Sequence, residues 1–289
     1  VMETVERESP WTEVLDYWNS MDTSSDVDQI SIGDIVSYND TAENWPVIDG
    51  YGALVARWAA NVPVQLNTAA TAIRWGNSGV SVETRRGALH AKCAVIAVST
   101  GVLGSGDIRF WPELPAEKGQ AIEALPLGNY NRIRLVIDRH LFADDVPERV
   151  VVEQPGNPPM QLSVRPYGFD CVIGIVAGRY ADWLERAGPG AAREAVTRAL
   201  CETFGANMRS QIKSDRQSAW RGNAFVRGAY STSAPGQFHQ RAVLSQTIQN
   251  KLFFCGEATS TDHFCTCHGA RMTGERVARE VQSAIGVKL

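Results

Sequence analysis

The sequence predicts an α/β fold, and three observations carry that expectation. Ala94 to Val98 is a short continuous apolar run, the pattern of a strand covered on both faces. Lys251-Leu252-Phe253-Phe254-Cys255 is a second such run, followed by glycine, a few small polar residues and a helical pattern. Between the two, stretches of strand-like alternation are separated by amphipathic helical stretches, the order expected of mixed sheets with helices packed on them.

The elements follow in chain order. Trp11 to Met21 carries Leu15 and Trp18 on one face and is expected to be helical. The acidic stretch after it is loop-rich, with Ser31-Ile32-Gly33-Asp34-Ile35 as a short helix or turn. Gly50-Tyr51-Gly52 turns the chain into a helix with Leu54, Val55 and Trp58 at near-helical spacing. From Val64 to Ser99 the period changes, and four short strands are expected, with turns at Asn77-Ser78-Gly79 and Arg86-Gly87. Leu114 to Leu125 reads as an amphipathic helix with Pro115 near its start. Asn131 to Asp138 is a strand with long polar residues on one face, and residues 148–178 hold about three more. Pro189 to Gly205 is a helix that stops at its glycine. Ser218 to Gly236 is aromatic, punctuated by glycine and loop-like. The final helix is expected from about Gly269 to Ala284.

Composition removes several function classes. The chain has 289 residues, 44% of them hydrophobic, and a net charge of -4. That length can bury a large core, and the slight acidity gives no footprint for nucleic acid. No run approaches ~18 apolar residues, so no membrane span is expected. The first residues show no signal-peptide pattern. The six cysteines are scattered apart from Cys265 and Cys267, which suits reduced thiols and a cytoplasmic home better than a disulfide framework.

The chemistry concentrates in Cys255 to Glu280. Gly256 lets backbone approach a ligand with no Cβ in the way. Glu257 offers acceptor oxygens suited to ribose or ribitol hydroxyls. The helix beginning near His268-Gly269-Ala270 has N–H groups without helical partners and a partial positive charge, which suits a carbonyl-rich ring that becomes anionic on reduction. The same spacing also fits a plain strand–turn–helix unit with a tight helix–sheet contact. Cys265, Cys267 and His268, with His263 nearby, lack the usual C-x-x-C zinc spacing, and no metal site is expected.

The stretch Leu252 to Glu280 closely resembles the C-terminal FAD motif of the flavin-dependent amine oxidases, the family of polyamine oxidases, monoamine oxidases and lysine-specific histone demethylases. It has Gly256-Glu257, then Thr266-Cys267-His268-Gly269-Ala270 and a helix. Trp45 to Thr84 is similar to that family's Gly-turn helix and the strand beside the adenosine part of FAD. Ala94 to Asp138 resembles its "TxPxGVL…LP..K..AI..L..G..NK" stretch, and Trp220 to Ser231 its Trp…Arg-Gly-Ser-Tyr-Ser segment beside the flavin. The resemblance covers roughly residues 45–289.

The resemblance implies an incomplete Rossmann-like FAD-binding domain, residues 46–106 and 215–289, interleaved with a substrate domain of mixed β-sheet plus helices, residues 1–45 and 107–214. It implies Ala70, Val98, Trp220, Gly256, Glu257, Thr266, Cys267, His268 and Ala270 as FAD-binding residues, and Arg132, Tyr230 and Trp220 as catalytic candidates acting on a small-molecule amine. Arg132 stands where the family has a lysine that holds a water near flavin N5, and arginine cannot serve as a proton acceptor there. Ala229 stands where monoamine oxidases carry the cysteine that binds FAD covalently, so non-covalent FAD is implied. Residues 1–45 contain no Gly-x-Gly-x-x-Gly, so the chain is expected to be the C-terminal two-thirds of such a protein, the first unit coming from a further segment or chain. The expected reaction is amine C–N oxidation, with oxygen reduced to peroxide. A desaturase or isomerising flavoprotein and a non-catalytic assembly module remain as alternatives.

Overall fold

The structure, a computed structural model, describes residues 11–286, so positions 1–10 and 287–289 of the expected segments lie outside the described residues. The described residues open with three α-helices, α1 (Thr12–Thr23), α2 (Ile32–Ser37) and α3 (Tyr51–Trp58). The expected strands follow as β1 (Ala70–Gly76), β2 (Gly79–Thr84), β3 (Gly87–Ala91) and β4 (Ala94–Ile96). After α4 (Thr100–Leu103) comes β5 (Arg109–Trp111), a strand the sequence pattern does not announce. It pairs parallel with β1, giving a sheet of order β3-β2-β1-β5. That pairing joins 109–111 to the sheet of β1 to β3.

Helix α5 (Ala116–Ala124) leads into β6 (Tyr130–Val136), then β7 (Arg149–Gln154), β8 (Asn157–Val164) and β9 (Cys171–Ala177). Two helices pack on them, α6 (Gly178–Ala187) and α7 (Pro189–Phe204), followed by α8 (Met208–Gln211) and β10 (Ser214–Gln217). The five-stranded antiparallel sheet has the order β10-β6-β9-β8-β7. β10 pairs antiparallel with β6 at the edge of that sheet. The α7 sequence places Ala192, Ala195, Val196, Ala199 and Leu200 on one stripe, and all five are buried against the sheet. Fully buried side chains such as Leu162, Ile133 and Leu200 each contribute roughly 1.5–3 kcal/mol by leaving water.

The chain returns through α9 (Gln240–Ser245), β11 (Leu252–Phe254) and α10 (Cys267–Ile285). β11 pairs parallel with β4, joining the two apolar runs of the sequence edge to edge. Leu252, Phe254, Ile96, Ile73 and Val80 form a second core behind that pair. Lys118 of α5 is only 2% exposed; its Nζ donates to the carbonyls of Val243, Leu244 and Gln246 at 2.8, 2.9 and 2.7 Å, which closes the C-terminal end of α9. Helix α3 buries none of its residues, and Tyr51, Leu54, Val55 and Trp58 all stand exposed. Among the described residues no helix is long and apolar enough to cross a membrane.

Candidate active site

Strand β6 supplies one wall of the site. Its alternation turns Asn131, Ile133 and Leu135 inward and leaves Tyr130, Arg132 and Arg134 on the other face. The Arg132 guanidinium lies 5.7 Å from the Tyr130 ring centroid, and no carboxylate among the described residues pairs with it. Tyr230 arrives from the 218–233 segment, with its ring centroid 6.1 Å from that of Tyr130. These three side chains face a cavity of about 620 Å³. Asp22, Ile35, Tyr38 and Asp40 from the N-terminal segment also line it, as do Phe264, Cys265 and Thr266.

A second cavity, of about 220 Å³, adjoins the same segments from the other side. Val98, Thr100, Ala229, Gly256, Glu257 and Ala270 line it. Ala229 therefore faces the smaller space and its neighbour Tyr230 the larger.

A buried network divides the two. Glu257 Oε1 accepts from the Ser231 N–H at 2.9 Å, while Oε2 accepts from Ser231 Oγ at 2.8 Å and from the Cys265 N–H at 2.9 Å. Arg241 Nη1 donates to the same Ser231 Oγ at 2.8 Å, and its Nε and Nη2 clasp Asp34 at 3.0 and 2.8 Å. The guanidinium also sits 3.9 Å from the centroid of Phe264. Asp34 Oδ2 takes the Ser233 N–H as well. The N-terminal wall, the 231–233 strand-like segment and the 257–265 loop are thus tied through one arginine.

The sequence-predicted residues divide between these places. Arg132, Tyr230 and Thr266 meet at the larger cavity; Val98, Gly256, Glu257 and Ala270 meet at the smaller. Glu257 is more committed than expected, since three of its roughly four acceptor positions are filled by protein donors. Ala70 opens β1, Cys267 and His268 are exposed in the first turn of α10, and Trp220 is 43% exposed; none of these lines either cavity. Cys265 and Cys267 diverge, for the Cys265 thiol points inward and donates to the Ser231 carbonyl at 3.1 Å. Sequence reasoning missed Tyr130, Asp22, Tyr38, Asp40 and the Asp34–Arg241 pair. Tyr130 was within reach, because residues 130 and 132 of one strand share a face. The others had no sequence signal, since contact across two hundred residues leaves no period.

The environment sets the protonation of the cavity wall. Burial first, then Tyr130, hold the Tyr230 phenol far above its ordinary range, so it stays a neutral hydroxyl. Burial and then the neighbouring Glu257 likewise raise the Cys265 thiol well above its usual value. Asp22 is pushed up by partial burial and by Asp40 across the wall.

The family described as flavin containing amine oxidoreductase matches residues 7–282. The chain belongs to that family. The chain is 32% identical over 249 residues to Protein FLOWERING LOCUS D of Arabidopsis thaliana, across 81% of this chain and 31% of that one. It is 26% identical over 251 residues to Polyamine oxidase 4 of Oryza sativa subsp. japonica, across 83% and 49%. The chain thus spans 31% to 49% of the length of these curated relatives. Its fold is similar to that of Cyclohexylamine Oxidase from Brevibacterium oxydans IH-35A, with a TM-score of 0.76 at 18% identity over 99% of this chain and 66% of that one. Wild-type Putrescine Oxidase bound to putrescine gives 0.68 at 19% identity, over 82% and 53%.

The residues around the smaller cavity and the start of α10 fit part of a flavin. Thr100 Oγ1 is buried beside the smaller cavity and has no protein partner. Gly256 has φ +120°, and a Cβ there would point into open space with only the Ala97 carbonyl at 4.0 Å, so backbone is bared to the cavity. At the start of α10, Thr266 Oγ1 accepts the Gly269 N–H at 3.0 Å, and Gly269 packs so closely under the His263 carbonyl that no side chain fits. The Cys267 and His268 N–H groups then stand at a helix start without helical partners. A glycine-rich phosphate cradle is not among the described residues.

Proposed function

We propose that this chain carries the amine-binding wall and part of the FAD site of an amine-oxidising enzyme, with the amine in the larger cavity. The observation that carries this reading is the convergence of Tyr130, Arg132, Tyr230 and Thr266 on one space at the N-terminus of α10. When bound, FAD would accept a hydride from the amine α-carbon; the imine is then hydrolysed, and oxygen is reduced to hydrogen peroxide as the cofactor is reoxidised.

The chain's own residues bind and orient. Tyr130 and Tyr230 stand in ring contact and together offer an aromatic surface against which an aliphatic amine packs, and the neutral Tyr230 hydroxyl draws no proton from it. The start of α10 and the Arg132 guanidinium place positive potential beside the reaction centre, where reduction concentrates negative charge. Asp22 and Asp40, which line the same cavity, suit a substrate with a second positive charge. Relatives named for polyamine and for histone lysine chemistry make polyamines and peptidyl lysine the first amines to try. Ala229 offers no nucleophile, which supports non-covalent FAD. Six free cysteines suit a reducing compartment such as the cytoplasm.

The deciding experiment is peroxide release by the full-length protein over a panel of mono-, di- and polyamines and a lysine peptide, with the flavin absorbance followed anaerobically. Bleaching by an amine supports the reading. A flavin-loaded protein that no amine bleaches overturns it. Acid precipitation should leave all yellow colour in the supernatant.

A further inference from the structure

Behind the cavity wall lies a second polar cluster that the proposed chemistry does not touch. Glu185, in the last turn of α6, accepts from Asn129 Nδ2 and Asn131 Nδ2, each at 2.9 Å, through Oε2. Its Oε1 accepts the Gly222 N–H at 2.5 Å. Asp182, one helical turn earlier, takes Asn129 Nδ2 at 2.9 Å and Arg221 Nε at 3.0 Å. Arg221 in turn donates to the Leu127 and Arg227 carbonyls. Asn129 and Asn131 are 1% and 4% exposed.

Alternation along β6 gives this cluster its meaning. Asn131 points to Glu185, so Tyr130 and Arg132, on the opposite face, point to the larger cavity. The other half of the grip is on the 221–222 backbone, at the start of the segment that returns as Tyr230. Two further bonds link the same parts: Ser218 Oγ donates to Asn131 Oδ1 at 2.9 Å and accepts from the Arg132 N–H at 2.9 Å. Closer to the cavity, the Gly128 N–H donates to the Tyr230 carbonyl at 2.9 Å and the Ala229 N–H to the Gly128 carbonyl at 2.8 Å.

We propose that Glu185 is a positioning residue: by holding the reverse face of β6 and the 221–222 backbone together, it sets Tyr130 and Arg132 beside Tyr230 on the cavity wall. The proposal rests on the reading of that cavity as the amine site. A carboxylate suits the task because a single group accepts from two side-chain amides and a backbone N–H at once. Burial alone would raise its pKa, but hydrogen bonds from Asn129, Gly222, Asn131 and Arg221 together outweigh burial and hold it below the usual carboxylate range. The grip is thus ionised throughout the neutral range. The effect on rate comes through geometry alone, since Glu185 touches no reacting atom; misplacement by about 1 Å costs up to ~10²-fold.

The test uses Glu185→Gln, which keeps the shape and one acceptor, beside Leu184→Val, a change one residue away in the apolar core under the sheet that removes none of the hydrogen bonds of the grip. In amide exchange on the protein, Glu185→Gln is expected to speed exchange at Gly222 and also at Gly128 and Ala229, while Leu184→Val leaves all three unchanged. In the flavin-loaded full-length protein, Glu185→Gln is expected to slow flavin reduction at saturating amine by about ten- to a hundredfold with the apparent amine dissociation constant unchanged. Leu184→Val should keep the wild-type rate. Faster exchange confined to Gly222, or a reduction rate equal to wild type, overturns the proposal. If no amine reduces the wild-type flavin, the amine reading fails by itself, and exchange at Gly128 and Ala229 still decides whether Glu185 positions Tyr230.

Discussion

Asp34 and Arg241 stand 207 residues apart in the chain and form a bidentate ion pair almost wholly removed from water, 4% and 1% exposed. Arg241 spends its remaining donors on Ser231, which is also bound by Glu257, so the pair fixes the partition between the two cavities. Such a pair is retained at a desolvation cost, and removing one partner strands the other.

Asp34→Ala is therefore expected to destabilise the protein by about 3–5 kcal/mol, and Arg241→Ala by a similar amount. The double variant should lose clearly less than the sum of the two, because the stranded charge is gone. Urea unfolding of the four proteins measures this; strictly additive losses would show that the two side chains act independently.

Lys118 gives a pH signature. Burial lowers its pKa to about 8 from the ordinary 10.5. Between those values the unfolded chain holds the proton and the folded protein does not, so stability should rise as pH rises from about 8 to 10.5 and fall as pH drops through 8. Lys118→Met should be less stable at neutral pH, with three carbonyls left without their donor, and should lack that rise. Urea midpoints at pH 7.5 and 10 check both statements; a parallel rise in the variant would assign the effect elsewhere.

Arg132 faces the cavity without a carboxylate partner among the described residues. If its charge serves the reoxidation of bound flavin, Arg132→Met in the full-length enzyme should slow reoxidation by oxygen by about 10²–10³-fold while leaving anaerobic reduction by amine nearly unchanged. Arg132→Lys should restore part of the rate. Stopped-flow measurement of each half-reaction separates the effects, and equal rates in wild type and Arg132→Met would reduce Arg132 to a strand residue.

Asp22 and Asp40 should sort substrates by charge. Asp22→Asn is expected to raise KM for a diamine by up to about fivefold and leave a monoamine of equal length unaffected, the scale of one partly exposed charge pair. Since burial and Asp40 raise the Asp22 pKa, the diamine preference should also fade as pH drops, sooner than an ordinary aspartate would dictate. Equal KM changes for both amines would remove Asp22 from specificity.

Much of this architecture is local and was legible. The apolar runs at 94–98 and 251–255 became β4 and β11, the alternation at 131–138 became β6, and the stripe of α7 became the cover of the five-stranded sheet. Period and punctuation suffice there because one face of each element must leave water. The motif around Gly256-Glu257 and Thr266 to Ala270 also announced its strand, turn and capped helix. Sequence alone therefore determined most of the elements, the family and a minority of the residues bordering the two cavities, namely Arg132, Tyr230, Thr266, Val98, Gly256, Glu257 and Ala270. Only the tertiary structure decided which neighbours share a space. It placed β5 beside β1, put Asp34 on Arg241, turned Glu257 inward to Ser231 and Cys265, and left Trp220, Cys267 and His268 outside both cavities. The reason is physical: a buried charge or carboxylate is satisfied by whichever donors the fold brings within about 3 Å, and that choice depends on chain segments far apart, which leave no period in the sequence to read.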